Sequence, residues 1–253
     1  MFKNAIVRKP ARSMVNGLTS ASLGAPNYEL ACQQHADYVQ ALKECGLNVL
    51  VLPSEESYPD SCFVEDAALM TPDCAILTRP GATTRQGEVA LIEAAVKSHY
   101  DAVYTIQSPD TIEAGDIMMV GNHYYIGLSD RTNADGADQM IRILEENGMQ
   151  GSVVEMSEML HLKTGLSFLE NNNLLVCGEF VSKVEFDKFN RLEIPMDDAY
   201  SANSVWINGT VLVPAGFDST VEKIQALGYQ VRVVEMSEFQ KLDGGLSCLS
   251  LRF

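Results

Sequence analysis

Val153-Val-Glu-Met-Ser-Glu158 returns as Val233-Val-Glu-Met-Ser-Glu238, the same hexapeptide at an offset of 80 residues. At that offset Leu162 meets Leu242 and Gly165-Leu-Ser167 meets Gly245-Leu-Ser247, while His161 falls opposite Lys241 and Phe168 opposite Cys248. The chain therefore carries two copies of one structural unit, each running from an apolar β-branched strand through a turn into a second strand. One copy has a histidine just before its turn, the other a cysteine just after. Units packed around a common centre would aim both side chains into it, joining a candidate nucleophile to a candidate proton-transfer group.

The second turn, Asp243-Gly-Gly-Leu-Ser-Cys248, opens with a Gly-Gly step. Such a step frees the backbone for angles that other residues avoid and lets a ligand lie against it. Residues 246–253 read as a strand, apolar at Leu246, Cys248, Leu249, Leu251 and Phe253. Taken alone, Cys248 reads as a buried core cysteine, because free cysteines are among the most buried residues. The repeat lifts it above that reading.

The remaining elements follow the same plan. A strand over 2–7 leads into a Gly/Ser/Pro-rich loop over 11–26 that contains Gly17-Leu18-Thr19, long enough to be functional or disordered. Asn27 caps a helix whose apolar stripe is Leu30, Ala31, His35, Tyr38, Val39, Leu42 and Cys45, closed by Gly46. Four hairpins pair 66–70 with 74–77, 116–120 with 123–126, 166–170 with 174–177, and 204–207 with 210–213 through Asn208-Gly209. Helices over 88–97, 134–146 and 219–227 follow three of them, and strands at 153–154 and 231–234 follow two of the helices. The C-terminal segment supplies only half a hairpin, and the N-terminal strand has the form of the other half. The prediction is an α/β fold, one domain over 1–253. It is a five-fold pseudosymmetric αβ-propeller with an axial site, its N- and C-terminal strands pairing to close the ring.

Eighteen basic against thirty-four acidic residues give a formal charge of −16, which argues against nucleic acid and anionic membrane and suits a small cationic substrate. The N-terminus is too polar for a signal peptide, and no apolar run reaches membrane-spanning length. Six scattered cysteines with no Cys-x-x-Cys read as reduced thiols, placing the chain in the cytoplasm. A homodimer is compatible with the sequence.

Acidic clusters lead into the first strands of the units: Asp60 to Asp66, Glu113 to Asp116, and Asp243 before Cys248, with His161-Leu-Lys-Thr-Gly165 in the corresponding place of a fourth. Singly, such acids are ordinary turn residues. Around one axis they suit a narrow chemistry. Carboxylates near a thiol raise its pKa, which makes sense only if the substrate brings positive charge. A guanidinium does so, matches carboxylates at two points, and offers its central carbon to a thiolate. Metal binding is the rival use, but no ligand pair has zinc-site spacing, and there is no phosphate loop or G-x-S-x-G elbow; neither cofactor nor metal is expected.

Gly17-Leu18-Thr19, Asp60-Ser61, Phe63-Val-Glu-Asp66, Glu113-Ala-Gly-Asp-Ile-Met-Met119, Arg131-Thr-Asn133, His161-Leu-Lys-Thr-Gly165 and Gly244-Gly-Leu-Ser-Cys248 together resemble the dimethylarginine dimethylaminohydrolase family, in its short bacterial form. The resemblance covers residues 1–253 and implies the propeller of the guanidino-group-modifying (pentein) superfamily. It implies hydrolysis of Nω-methylated arginines to citrulline through a covalent cysteine adduct. It further implies Cys248 as nucleophile, His161 as acid/base and Glu113 as an active-site carboxylate. By the same resemblance Asp66 binds the guanidino nitrogens, with Asp60 and Glu65 as polar binding residues. Leu18 is the lid residue, Arg85 and Arg131 hold the α-carboxylate, and Leu242 offers a backbone contact. Arginine deiminases resemble the same pattern but carry an Asp where Lys163 stands; its loss is expected to leave a less polar space for N-methyl groups. The alternatives are an arginine deiminase-type hydrolase and a non-catalytic propeller that binds a partner.

Overall fold

Five three-stranded sheets carry the fold in the computed structural model, which describes residues 1–253. Each sheet pairs two strands antiparallel and adds a third in parallel, and in four of the five the antiparallel pair is a hairpin followed by a crossover. The first blade is Ala68–Met70, Ala75–Leu77 and Val103–Thr105, with helix Glu88–Lys97 as its crossover. The second is Ile117–Val120, His123–Leu128 and Gln150–Glu155 with helix Ala134–Glu146. The third, Leu166–Phe168, Asn173–Cys177 and Asn190–Ile194, crosses over by the 3-10 turns Gly178–Ser182 and Val184–Phe186 instead of a helix. Phe180 and Phe186 of those turns are fully buried edge-to-face, and this contact replaces the apolar stripe of a helix. The fourth is Val205–Ile207, Thr210–Pro214 and Gln230–Val234 with helix Asp218–Ala226.

The fifth blade joins the two ends of the chain. Leu251–Arg252 pairs antiparallel with Asn4–Arg8 in the register Ala5 to Arg252 and Ile6 to Leu251, and Asn48–Leu52 adds in parallel after helix Tyr28–Glu44. The expected ring of five is therefore present, closed by terminal strands. The first strands of the blades neighbour one another around the axis, and together they line an axial cavity of about 140 Å³.

Local signals explain most of these elements. Asn27 accepts a hydrogen bond from the Leu30 amide, and Asn133 accepts from Gly136, each satisfying a donor that the first helical turn leaves free. Gly46, Gly148 and Gly228 take φ of +87°, +77° and +89°, the left-handed residue that ends a helix. Asn208 and Gly209 both have positive φ, as a tight two-residue hairpin turn requires. In helix Tyr28–Glu44 the predicted stripe holds at Ala31, His35, Tyr38, Val39 and Leu42. Leu30 is instead 45% exposed and Cys45 half-buried, because the stripe drifts off the core at the helix ends. Complete burial of Leu42 contributes about 1.5–3 kcal/mol.

Two expectations at the strand boundaries need correction. Residues 246–253 are not one strand: Ser247–Leu249 is a 3-10 turn, and pairing begins only at Leu251. Asp66 and Asp116 belong to the 3-10 turns Val64–Ala67 and Ala114–Asp116, not to the strands that follow them. Every blade has a short helical turn before its first strand: 3-10 in four of them, including Met196–Ala202, and a single α-helical turn at Leu162–Gly165. No helix is long and apolar enough to cross a membrane.

Candidate active site

The turns that precede the first strands converge on a pocket of about 210 Å³ at one end of the ring. Nearly every residue predicted for the site lines it: Leu18, Asp60, Asp66, Arg85, Glu113, Arg131, His161, Leu242 and Cys248. Glu65 does not. It lies below, toward the axial cavity, where its carboxylate takes Lys163 Nζ at 2.6 Å, Ser247 Oγ at 2.7 Å and Arg252 at 3.3 Å.

His161 stands at the head of the one-turn helix Leu162–Gly165, with its Nε2 2.8 Å from Glu113 Oε2. The turn is seated on Asp116, which is fully buried; its Oδ1 accepts from the Leu162 amide at 3.0 Å and its Oδ2 from the Ser129 and Thr132 hydroxyls. Burial opposes charge on His161, but Asp116, Asp66 and Glu113 outweigh it and hold the imidazole up at about 9. Glu113 is buried as well, yet its bond to His161 keeps its carboxyl below the ordinary range. At neutral pH the pair is imidazolium and carboxylate.

Cys248 follows Ser247 within its 3-10 turn, and its sulfur accepts from the Gly245 amide at 3.3 Å. Burial, then Glu65 and Asp66, push the thiol up to about 12. The Gly-Gly step serves proximity, not unusual backbone angles. The left-handed residue here is Asp243, at φ +57°, whereas a Cβ on Gly244 would lie 2.1 Å from the Phe63 ring.

The two arginines differ. Arg85 is buried and spends its donors on the protein: Asp66 at 2.6 Å, Glu88 through Nε and one terminal nitrogen, and the Phe63 carbonyl at 2.9 Å. It fixes Asp66, whose other oxygen accepts from the Gly115 amide. The Arg131 side chain lines the pocket and makes no hydrogen bond or ion pair. Residues 18–20 cross the pocket mouth, with the Leu18 amide on Asp60 and the Ser20 amide and hydroxyl on Asp243.

A sequence profile described as N,N dimethylarginine dimethylhydrolase, eukaryotic, matches residues 21–191. The N(G),N(G)-dimethylarginine dimethylaminohydrolase of Pseudomonas aeruginosa is 56% identical, with the alignment covering 100% of both chains. This chain belongs to the dimethylarginine dimethylaminohydrolase family. Two solved structures of that family, each 56% identical and covering 100% of both chains, superpose on it with a TM-score of 0.99. One is the Pseudomonas aeruginosa enzyme with its cysteine changed to serine, complexed with citrulline. The other has a histidine changed to glycine and is an adduct with S-methyl-L-thiocitrulline.

One expectation drawn from the resemblance to the dimethylarginine dimethylaminohydrolase family fails here. Lys163 does not mark an open, less polar space: its ammonium is bound to Glu65 at 2.6 Å toward the axial cavity, outside the lining of the pocket. The apolar surface of the pocket comes instead from Leu18, Phe63, Leu160 and Leu242. The structure also assembles donors that no sequence spacing announces, since atoms of Asp66, Glu113 and His161 lie within 4.8 Å of one another. A cation there would have to displace the imidazole proton and compete with Arg85 for Asp66, which sets a high barrier to a resident metal. Asn203 was missed in the sequence, whereas Asp116 and Asp243 were placed in the acidic clusters around the axis without a role of their own. Asp116 is part of the quoted Glu113-Ala-Gly-Asp motif, but nothing in that string says it seats the histidine turn from another blade.

Proposed function

We propose that this chain hydrolyses Nω,Nω-dimethyl-L-arginine and Nω-monomethyl-L-arginine to L-citrulline, releasing dimethylamine or methylamine, with residues 1–253 as one catalytic domain. The observation that carries this reading is the polarity of the pocket. An unpaired Arg131 lies in the same pocket as Asp66 and Glu113, with Cys248 and His161 beside them. An amino acid with a guanidinium tail matches that order, its carboxylate toward Arg131 and its cation toward the acids. Arg85, with most of its donors committed, adds positive field to the carboxylate end and holds Asp66. Asp60 and the Leu18 strap enclose the backbone of the substrate, and Leu242 offers its main chain.

The chemistry follows from the protonation states. Bound between Asp66 and Glu113, the guanidinium offsets the negative field that keeps Cys248 neutral, and the thiol releases its proton to solvent. Sγ then bonds to the guanidino carbon. The bond from that carbon to the methylated nitrogen breaks as His161 gives the departing amine its proton. The S-alkylthiouronium left behind is attacked by water, which loses a proton to the now neutral His161. The C–S bond breaks, the hydroxyl left on that carbon passes its proton to the departing thiolate, and citrulline forms with the thiol restored. His161 thus gives one proton to the departing amine and takes one from the attacking water. Six free cysteines support a reducing, cytoplasmic setting.

A citrulline assay with arginine and its methylated forms side by side tests the reading. Turnover of the methylated forms with little on arginine is the expected result; turnover of arginine alone would assign a deiminase, and none at all a binding protein.

A further inference from the structure

The expected polar approaches to the axis number four, yet the structure has five, and the one over Met196–Ala202 ends in Asn203. This residue is 7% exposed, and its amide is fully spent on the two turns that carry His161 and Cys248. Oδ1 accepts from the Ser247 amide at 2.9 Å, while Nδ2 donates to Ser247 Oγ at 3.0 Å and to the Lys163 carbonyl at 2.9 Å. Ser247 Oγ donates onward to Glu65, which binds Lys163 Nζ, so Asn203, Ser247, Glu65 and Lys163 close a ring beneath the reacting groups. Gly245 packs against the same amide, where a Cβ would lie 2.5 Å from Asn203 Cγ. From its other side the Gly245 N–H reaches Cys248 Sγ.

We propose that Asn203 is a positioning residue for the nucleophile: it fixes Ser247 and Gly245 so that the Gly245 N–H donates to the Cys248 sulfur as it ionises. The inference rests on Cys248 being the nucleophile, as proposed above. An N–H bond to a thiolate is stronger than one to a thiol, so correct placement favours the charged form and speeds attack more than it tightens substrate binding. A buried asparagine that merely satisfied its own hydrogen bonds would affect stability without touching sulfur ionisation.

Asn203→Ser separates these cases, because it removes the amide that bonds Ser247 and the Lys163 carbonyl without adding a charge whose field would itself raise the thiol. The variant is expected to lose about tenfold or more in kcat for dimethylarginine, with KM within about threefold of the parent. The acidic limb of its kcat profile should move up by about one pH unit. Citrulline affinity in the Cys248→Ser background should be unchanged by the second substitution. Unchanged kcat and acidic limb, or a loss seen wholly in KM and citrulline affinity, would overturn the proposal. If Asn203→Ser does not fold, Asn203→Ala carries the same expectations, and failure of both to fold assigns Asn203 to folding and overturns it too. Turnover by Cys248→Ser alone would overturn the nucleophile itself. An inactive Cys248→Ser beside a fully active Asn203→Ser would remove only the role given to Asn203.

Discussion

The histidine turn and the cysteine turn begin from the same repeated hexapeptide and end in different structures. After Gly165 the chain enters its strand at once, at Leu166. After Gly245 it does not: pairing begins at Leu251, not at Leu246, the residue an offset of 80 from Leu166 would give. The intercalated residues 246–250 coil into the turn that carries Cys248 into the pocket, held from below by Tyr38, whose hydroxyl bonds the Leu246 carbonyl and Ser250. Repetition placed two turns around one axis; departure from it made one of them a site for a nucleophile.

Their electrostatics also differ in effect while sharing a cause. Both turns lie in a field of buried carboxylates. On a base that field favours the charged form, and His161 is held up at about 9; on an acid it favours the neutral form, and Cys248 is pushed up to about 12. The resting site therefore holds both protons. A cationic substrate is the component that changes this balance.

Removing the thiol tests the contrast most severely. Cys248→Ser should lower turnover by about four orders of magnitude or more, since an unactivated hydroxyl is a poor nucleophile. Isothermal titration should still detect citrulline. Next in size is the floor of the cysteine turn. Lys163→Met leaves Glu65, whose side chain is 5% exposed, with Arg252 as its one remaining cation and should cost about 3–5 kcal/mol in urea unfolding. A loss below about 1 kcal/mol would mean that the ion pair behaves like a surface bridge.

The histidine turn can be perturbed more gently. Asp116→Asn keeps acceptors for the Leu162 amide and removes a charge that raises His161, so the alkaline limb of kcat/KM should fall by about one pH unit from the parent's, near 9. S-methyl-L-thiocitrulline, whose thiolate departs without a proton, should lack that limb. Stability should follow the same titration. The folded pKa of His161 lies above the unfolded value, so its contribution is complete below about 6.5 and is lost as pH rises through about 9. Thermal melts across that window should show a smaller decline in Asp116→Asn than in the parent.

What the sequence revealed of this arrangement depended on how local the signal was. Asn27, Asn208-Gly209 and the glycines after helices act within a few residues, so their caps and turns lie where the sequence placed them. The ring was legible because a hexapeptide recurred and the two ends had the form of one hairpin. Glu65, Lys163 and Asn203 were not legible in role, because their partners lie on other blades and no spacing in the chain encodes which side of the axis a side chain faces. The 3-10 turns escaped for a related reason: at the strand approaches they are set by convergence on the axis, and their residues carry no periodicity.

The mechanism requires that the free site keep Cys248 as a neutral thiol until a cation binds. Thiolate absorbance near the ultraviolet edge, titrated with pH on the free protein and corrected with Cys248→Ser, measures this directly. The expected result is no thiolate signal at neutral pH, ionisation only well into the alkaline range, and thiolate appearing at lower pH when a cationic, non-hydrolysed arginine analogue occupies the pocket. A thiolate already present at neutral pH in the free protein, unaffected by such an analogue, would contradict it.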